Sequence, residues 1–304
     1  MIRWPERFKW IEGRKSKVKY VQGFVRKFAS LAENVFIRLA PLPVPGVNKK
    51  ENLNKKIIVS LTSFPPRINQ VYYAIKSLML QSMVADKIIL WLAAEQFPDF
   101  QIPEPLEKLK RLGLEIRFTE DDLKSHKKYY YALQEQKPDE LIITFDDDLI
   151  YEPKAIERLV KLYQRYPDKI IVNRGLAVTY SPEKGVDRSD PSRLYSDVGV
   201  NSPSFLVIPS TGAGCLYPYG LMPSSTFIKE DILNLAPSAD DIWIWYNSLK
   251  GKVGVVKTKK ISRALCEVTG SQKICLDRIN DAGGENDRVL SRLDYRNTPL
   301  TDPE

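Results

Sequence analysis

The segment "LIITFDDDLIY", residues 141–151, joins a run of apolar and β-branched residues to three consecutive aspartates, Asp146, Asp147 and Asp148. A run of this length and composition predicts a buried strand, and the aspartates stand where that strand ends. Carboxylates crowded together repel one another unless a cation neutralises them, and their oxygens suit Mg²⁺ or Mn²⁺. The segment therefore predicts a site for a divalent cation that bridges phosphates. The alternative is an acidic turn at the start of a helix that opens near Pro153.

Further short apolar runs precede and follow this one. With the run at 140–145, they lie at 56–62, 86–92, 114–118 and 169–172. Segments with helical spacing separate them, at 68–82, 104–112, 125–136 and 153–165. Alternation of strands and helices predicts an α/β fold with a mostly parallel central sheet and helices on both faces. Ligands of such sheets bind beyond the carboxyl ends of the strands, where we expect the aspartates to lie.

Composition and charge narrow the classes of protein. The chain has 304 residues, 43% apolar and 28% charged, which is typical of a soluble globular protein. Residues 1–40 carry ten Lys or Arg against three Glu, so +7 of the net charge of +8 belongs to this segment. That distribution argues against a nucleic-acid-binding face on the globular part. Three cysteines without metal-ligand spacing and a single histidine, His126, argue against a zinc site and favour a reducing cytoplasm.

The basic N-terminal segment has apolar residues at three- and four-residue steps over 18–40, which predicts a basic amphipathic helix. It contains neither a signal peptide nor an apolar run long enough to span a bilayer. Two placements stay open for the helix: packed on its own domain, or lying on an anionic membrane surface. We expect residues 1–45 to form this arm and its linker, and residues 46–304 to form the globular domain. This domain would have two halves, 46–175 and 176–304.

A second acid pair lies in "SADDIWIWY", residues 238–246. Asp240 and Asp241 stand at the start of a predicted helix, before Trp243 and Trp245. Aromatic rings beside a carboxylate raise its pKa toward a value useful for proton transfer. The alternative for these acids is helix N-capping.

Two further segments carry candidate binding residues. In "IPSTGAGCLYPYGLM", residues 208–222, the Gly-x-Gly turn would let the backbone approach a ligand, and Tyr217 or Tyr219 offers a ring on which a ligand could stack. In "KSHKKYYYAL", residues 124–133, Lys128 stands at the start of a helix whose N-terminus can point at a diphosphate. A solvated lysine pair is the alternative there. The segment at 181–203 is polar and rich in turn formers, and is either a lid or a surface insertion.

Six segments in this order resemble GT-A-type glycosyltransferases, close to the family 2-like bacterial enzymes of surface polysaccharide synthesis. The residues that carry the resemblance are "IIVSLTSFPPRI" (57–68), "KIILWLAAEQFP" (87–98), "KSHKKYYYAL" (124–133), "FDDDLIY" (145–151), "TGAGCLYPYG" (211–220) and "ADDIWIWY" (239–246). The resemblance covers roughly residues 55–260, including the acidic triplet as the family's DxD motif.

The resemblance implies transfer of a hexose from a nucleotide-sugar, with UDP as the nucleotide, to a glycan or lipid-linked acceptor, with inversion. The cofactor would be Mn²⁺ or Mg²⁺, held by Asp146 and Asp148, and Asp241 would be the base, with Asp240 beside it. The donor-binding residues would be Thr62, Ser63, Arg67, Lys128, Asp146, Asp147, Gly212 and Gly214. The resemblance further implies that 46–175 is the nucleotide-binding half, that 176–304 is the acceptor-side half with the C-terminal tail, and that Tyr217 or Tyr219 stacks on a sugar ring. The expected location is the cytoplasm, peripheral on the inner face of the plasma membrane.

Two other classes of protein remain as alternatives. Haloacid-dehalogenase-like phosphatases also use an Asp-x-Asp motif after an apolar strand, with Asp146 as the nucleophile. Those enzymes carry the motif on their first strand, whereas here it follows the fourth. A noncatalytic, membrane-associated carbohydrate-binding protein would use the acids only as metal or surface groups, and an assay of nucleotide-sugar turnover distinguishes it.

Overall fold

The computed structural model describes residues 19–42, 53–258, 265–271 and 284–300. Its α-helices are α1 (Lys19–Leu39), α2 (Val71–Met79), α3 (Glu104–Lys110), α4 (Lys127–Gln134), α5 (Ala155–Tyr163), α6 (Lys229–Leu235), α7 (Asp240–Lys250) and α8 (Glu285–Arg292). Its strands are β1 (Lys56–Thr62), β2 (Lys87–Ala93), β3 (Leu114–Thr119), β4 (Glu140–Thr144), β5 (Leu149–Ile150), β6 (Ile170–Val172), β7 (Gly175–Ala177), β8 (Thr179–Ser181), β9 (Gly185–Asp187), β10 (Val207–Pro209), β11 (Cys215–Tyr217), β12 (Val255–Lys257) and β13 (Cys266–Glu267).

Seven of these strands form the central sheet, in the order β12-β6-β11-β4-β1-β2-β3. Strands β1 to β4 pair in parallel, as do β6 and β12, while β11 runs antiparallel to both of its neighbours, β4 and β6. All five predicted strands and all four predicted helical segments are present, with shifts of a few residues at their ends. The predicted fold class, a mostly parallel α/β sheet, is therefore confirmed.

Helices cover both faces of the sheet because side chains along a buried strand alternate between them. In β1, Ile57 and Val59 pack in one apolar core with α2, α3 and α5. Ile58 packs in a second core with α4, α6 and α7. Both sides of β1 are buried, which accounts for its almost uninterrupted apolar run.

The helix predicted in the N-terminal segment is present as α1, and its C-terminal part packs on the rest of the molecule. Ile37 is fully buried. The side-chain amide of Asn34 donates to the carbonyl oxygen of Glu267 (2.9 Å) and accepts from the backbone N–H of Thr269 (2.8 Å). The packed placement thus holds for this part of α1, and residues 1–18 lie outside the described residues.

The opposite face of α1 carries an apolar stripe. Leu31, Val35 and Leu39 follow one another at four-residue steps and are 58%, 46% and 79% exposed. Residues four apart lie on the same face of a helix, so these three side chains form one continuous exposed surface. No helix in the described ranges is both long and apolar enough to cross a bilayer.

The domain boundary predicted at 45–46 falls within residues 43–52, outside the described ranges, and stays a prediction. The polar segment at 181–203 contains the end of β8, the β8–β9 turn, β9 and a short 3₁₀ helix, Pro191–Tyr195. Cys275 also lies outside the described residues.

Candidate active site

The predicted site residues meet at one edge of the sheet. Strand β4 ends at Thr144, so the three aspartates follow the strand rather than belong to it. Strand β11 runs antiparallel to β4 with Cys215 opposite Thr144, which brings the turn before β11 beside the aspartates. The backbone N–H of Asp146 donates to the carbonyl oxygen of Gly212 in that turn (3.0 Å).

A buried lysine ties the aspartate triplet to the second acid pair. The Nζ atom of Lys128 lies 2.6 Å from Asp146 Oδ1 and 2.8 Å from Asp240 Oδ2. Burial disfavours the charged ammonium, but the nearby carboxylates outweigh burial and raise the pKa of Lys128. This lysine therefore stays charged and bridges both acidic segments, so it is not a solvated surface lysine.

Thr211 holds the two acids of the second pair together. Its hydroxyl oxygen lies 2.7 Å from Asp240 Oδ2 and 2.6 Å from Asp241 Oδ1, and its backbone N–H donates to the same Asp241 oxygen (2.8 Å). Thr211 is itself fully buried, and the hydroxyl of Thr144 donates to its carbonyl oxygen (2.7 Å). Both acids therefore have fixed positions relative to the sheet edge.

The two acids differ in how readily they ionise. Burial raises the pKa of Asp241 to about 7, with a further contribution from the charge of Asp240. Burial also disfavours ionisation of Asp240, but the ammonium of Lys128 outweighs it, so the pKa of Asp240 is lowered. At neutral pH the pair thus contains one permanent anion and one group, half-buried Asp241, that can gain or lose a proton.

Neither acid caps α7. The residue at the N-cap position is Ala239, and no side-chain capping hydrogen bond is present there. Asp240 and Asp241 occupy the first turn, where carboxylates interact favourably with the helix dipole. The alternative that these two acids N-cap the helix is therefore wrong.

Arg67 pairs with the other two acids of the triplet. Its Nη1 atom lies 2.8 Å from Asp147 Oδ1 and 3.0 Å from Asp148 Oδ2, and the hydroxyl of Ser63 donates to Asp147 Oδ2 (2.6 Å). Burial raises the pKa of Asp147 even though Arg67 and Ser63 oppose this effect. Simple strand alternation, with Asp147 facing away from its two neighbours, does not describe the triplet, because the acids lie beyond the end of β4.

The remaining predicted donor-binding residues have structural neighbours of their own. The hydroxyl of Thr62 donates to the carbonyl oxygen of Trp91 (2.9 Å). The space on the side-chain side of Gly212 is filled by the carboxylate of Asp146. Gly214 has a φ of +104°, and a Cβ there would lie 2.6 Å from Asn173 Nδ2. Contact of these residues with a donor stays a prediction.

Three side chains near the site belong to the core. Tyr217 is fully buried in β11, so the prediction that its ring stacks on a sugar is wrong, while Tyr219 is exposed. His126 is fully buried between Tyr129 Oη and the carbonyl oxygen of Ala236, and burial lowers its pKa to about 4. Cys215 is fully buried as well.

Sequence reasoning missed three residues at this edge, of which Thr211 is one. The hydroxyl of Tyr151 donates to Gly212 O (2.7 Å) and accepts from the N–H of Asp146 (2.8 Å), which fixes the triplet against the turn before β11. Tyr151 and Thr211 lie in the segments 145–151 and 211–220, in which other residues were predicted to form the site. The roles of their hydroxyl groups can be assigned only once β11 is known to lie beside β4.

Arg174, two residues after β6, is the third. It is half-buried, its charge interacts with Asp241 and Tyr195, and burial lowers its pKa. Arg67 and Lys128 each contact two carboxylates, whereas the guanidinium of Arg174 has no hydrogen bond or ion pair with any residue in the described part of the chain. An anionic ligand that enters the site would therefore meet one cation that is not already neutralised.

The triplet suits a divalent cation in the type of ligand it offers. Asp146 and Asp148 supply carboxylate oxygens, and the side chain of Asp146 is 41% exposed. No cluster of three His, Cys, Asp or Glu residues able to hold a metal occurs within the ranges given above. The residues thus fit Mg²⁺ or Mn²⁺ as it is usually held beside phosphates, by one or two carboxylates with the phosphates and water as the other ligands.

Comparison with solved structures gives the fold. The matches include 258 chains, among them the mannosyltransferase PcManGT from Pyrobaculum calidifontis in complex with GDP-Man and Mn²⁺. That match has a TM-score of 0.51 and 11% sequence identity, over 93% of this chain and 78% of the other. The chain therefore has the same fold as this mannosyltransferase. No family model matches its sequence, and no curated protein does.

Within this fold, the aspartate triplet, Lys128 and the second acid pair lie beyond the carboxyl end of a central strand, where α/β sheets bind their ligands.

Proposed function

We propose that the protein is a metal-dependent glycosyltransferase that moves a sugar from a nucleotide-sugar to an acceptor hydroxyl. One observation carries the proposal. A glycosyltransferase fold places an acidic triplet at the ligand-binding edge of its sheet, and Lys128 connects that triplet directly to an acid pair of which one member has a pKa of about 7. The first group suits a metal and a diphosphate, and the second suits proton transfer.

Asp146 and Asp148 would hold the metal on the donor side. When bound, the ion neutralises charge on the departing diphosphate. Arg174 supports the same assignment, because its guanidinium is available to a phosphate oxygen. Arg67 and Lys128 keep the three acids in place by neutralising part of their mutual repulsion.

Asp241 would be the base on the acceptor side. The acceptor hydroxyl gives its proton to Asp241, its oxygen forms a bond to the anomeric carbon, and the bond from that carbon to the diphosphate breaks. A single displacement of this kind inverts the anomeric configuration. Asp240 stays ionised beside Lys128, and its negative charge helps to keep the pKa of Asp241 near neutrality.

The finer assignment rests on the six sequence segments. They favour a hexose donor with UDP as the nucleotide, and a glycan or lipid-linked acceptor in cell-surface polysaccharide synthesis. GDP-mannose is the second donor to test, because the similar mannosyltransferase was determined with it. A phosphatase of the haloacid dehalogenase type is disfavoured because the triplet follows β4, the fourth strand along the chain.

A membrane-bound acceptor would agree with two features of the N-terminal segment. The stripe of Leu31, Val35 and Leu39 is exposed on α1, and residues 1–40 carry a net charge of +7. Exposed apolar residues next to concentrated positive charge are typical of helices that lie on anionic lipid surfaces. We therefore propose a cytoplasmic location, peripheral on the inner face of the plasma membrane.

The test is a panel of UDP- and GDP-sugars, each measured for thermal stabilisation of the protein with and without Mn²⁺. A donor that binds the native state raises its apparent stability, and we expect this effect to require the metal. For the donor that binds, the anomeric configuration of the product is then determined by NMR. Binding of none of the nucleotide-sugars, or release of inorganic phosphate without sugar transfer, would refute the proposed function.

A further inference from the structure

We propose that Thr211, Asp240 and Asp241 form a proton-sharing bridge, in which Asp241 carries a proton in the resting protein and donates it to the hydroxyl oxygen of Thr211. Thr211 would then be a positioning residue that sets when Asp241 is free to act. The significance of the bridge for catalysis rests on the proposed function, but its proton arrangement does not.

The number of hydrogens on these three side chains limits the hydrogen bonds that they can form. The oxygen of the Thr211 hydroxyl lies within hydrogen-bonding distance of both Asp240 Oδ2 (2.7 Å) and Asp241 Oδ1 (2.6 Å). A hydroxyl has one hydrogen and can donate it to one of them. If both carboxylates were ionised, the second contact would press a hydroxyl lone pair against a negative oxygen at 2.6 or 2.7 Å. A second proton, on one of the carboxyl groups, removes this conflict.

The surroundings decide which acid carries that proton. Asp240 Oδ2 also accepts a hydrogen bond from the ammonium of Lys128 (2.8 Å), which favours the ionised form. Within the described residues Asp241 contacts no cation at hydrogen-bonding distance, although the charges of Lys128 and Arg174 act on it from farther away. Its Oδ1 accepts the backbone N–H of Thr211 (2.8 Å). The Thr211 hydroxyl therefore donates to Asp240, and Asp241 donates to Thr211. The raised pKa of Asp241, caused first by burial and then by Asp240, agrees with this assignment.

The bridge gives Thr211 two states. With Asp241 protonated, the threonine hydrogen points at Asp240. Once Asp241 releases its proton to solvent, the hydroxyl can turn and donate to Asp241, which leaves its lone pair facing ionised Asp240. Lys128 offsets part of this repulsion, so the second state is accessible but less favourable than the first. Asp241 then accepts the proton of the acceptor hydroxyl, and the bridge returns to its first state. The buried position of Thr211, held by Thr144 and by its own backbone, keeps its oxygen between the two acids throughout.

The test compares Thr211→Val, which removes the hydroxyl, with Thr211→Ser, which keeps it. Infrared difference spectra across a pH titration, with Asp241→Asn as the blank, report the protonation of the Asp241 carboxyl without any substrate. The bridge favours the protonated form of Asp241, because Thr211 accepts its hydrogen and because ionisation of both acids leaves a hydroxyl lone pair against Asp240. Thr211→Val removes both effects, so we expect the titration midpoint of Asp241 to fall by about one pH unit. A threonine that only donated to ionised Asp241 would instead give a midpoint that rises in this variant. The serine variant should titrate like the wild type. Where turnover is measurable, the acidic limb of its pH profile should shift in the same direction and by the same amount as the midpoint of Asp241.

Asp240→Asn provides a second variant, in case Thr211→Val does not fold. It removes the neighbouring negative charge and frees the Thr211 hydrogen for Asp241, so the midpoint of Asp241 should fall. A midpoint of Asp241 in Thr211→Val that equals or exceeds that of the wild type, or an Asp241 that is ionised well below neutral pH in the wild type, would overturn the bridge. If Thr211→Val does not fold, a midpoint that does not fall in Asp240→Asn would overturn it. Shifted midpoints in a protein that transfers no sugar would instead leave the bridge standing and refute the proposed function.

Discussion

The carboxylate of Asp146 occupies the space that a side chain at Gly212 would need. A Cβ atom built on Gly212 would lie 1.6 Å from Asp146 Oδ2 and 1.9 Å from its Cγ atom. The glycine is thus required by the aspartate beside it, whether or not a ligand also approaches its backbone. The turn before β11 and the acidic triplet therefore form one unit.

Gly212→Ala should displace the Asp146 carboxylate and abolish metal-dependent donor binding. The backbone of Gly212 has no positive φ, so the effect comes from the contact with Asp146 and not from backbone strain. Calorimetric titration of the nucleotide-sugar with and without Mn²⁺ measures it. Gly251→Ala is the control, since a Cβ there would come no closer than 3.3 Å to a neighbouring atom, Pro223 Cδ. Wild-type affinity in Gly212→Ala would show that Asp146 has no part in donor binding.

Asp147→Asn and Asp148→Asn should separate stability from metal binding. Asp147 is the more enclosed acid and contacts both Ser63 and Arg67, so its replacement should lower the free energy of unfolding by about 1–3 kcal/mol. Asp148→Asn should lose Mn²⁺-dependent donor binding with a smaller loss of stability. Urea denaturation and donor titration of both variants measure the two effects. Donor affinity in Asp148→Asn that is unchanged, with or without a chelator, would remove this residue from the metal site.

Arg174→Met should weaken binding of the nucleotide-sugar and of the free nucleoside diphosphate by about 10- to 100-fold, because a charge-assisted hydrogen bond to phosphate is lost. Loss of a half-buried cation that pairs with no described residue should leave the protein as stable or more stable. Arg165→Met is the control for charge, since Arg165 is exposed and its guanidinium lies over the ring of Tyr166. Equal affinities in the two variants would rule out a phosphate contact for Arg174.

The sequence was most informative where periodicity determines structure. The buried run before Asp146 and the alternating strands and helices followed from side-chain period alone, and the fold class was confirmed. Pairings between distant segments could not be predicted from it. Nothing in the local pattern indicates that Lys128 reaches Asp240 across 112 positions, or that β11 enters the sheet antiparallel between β4 and β6.

Tyr217 shows the same limit of sequence-based prediction, here for a residue that was wrongly placed in the site. An aromatic residue near a glycine turn has the same local signature whether it faces a ligand or the core. Only the pairing of β11 with β4 and β6 buries this ring. No sequence pattern indicated Arg174, because a single arginine after a short strand is common. Only the structure shows that it has no partner among the described residues.

Replacement of Leu31, Val35 and Leu39 by serine should reduce association with anionic vesicles and leave the fold intact, because all three side chains are exposed. Co-sedimentation with vesicles that contain phosphatidylserine measures the effect, and added salt should weaken the wild-type attachment. Ile228→Ser with Leu233→Ser is the control, since both residues are exposed apolar side chains elsewhere. A wild-type protein that ignores such vesicles at low salt would refute the membrane proposal.

Asp241→Asn and Asp240→Asn should change stability in opposite directions at pH 8. Asp241 has a folded-state pKa of about 7 against an ordinary aspartate value of 3.8. As the pH rises from 3.8 to 7, the unfolded chain has lost this proton while the folded chain still holds it, so folding becomes less favourable. Asp241→Asn removes that loss and should raise the melting temperature at pH 8 by about 2–4 °C or more, with the gain vanishing near pH 4. Asp240 has a lowered pKa beside Lys128, so its contribution to stability is present above pH 3.8, and Asp240→Asn should be destabilised at pH 8.

Despite its greater stability, Asp241→Asn should lose about 10²–10⁴-fold in turnover with donor affinity retained. Scanning calorimetry at both pH values and a turnover assay check the pair, and melting temperatures that move in the same direction at pH 8 would contradict the assignment of one permanent anion and one titrating base.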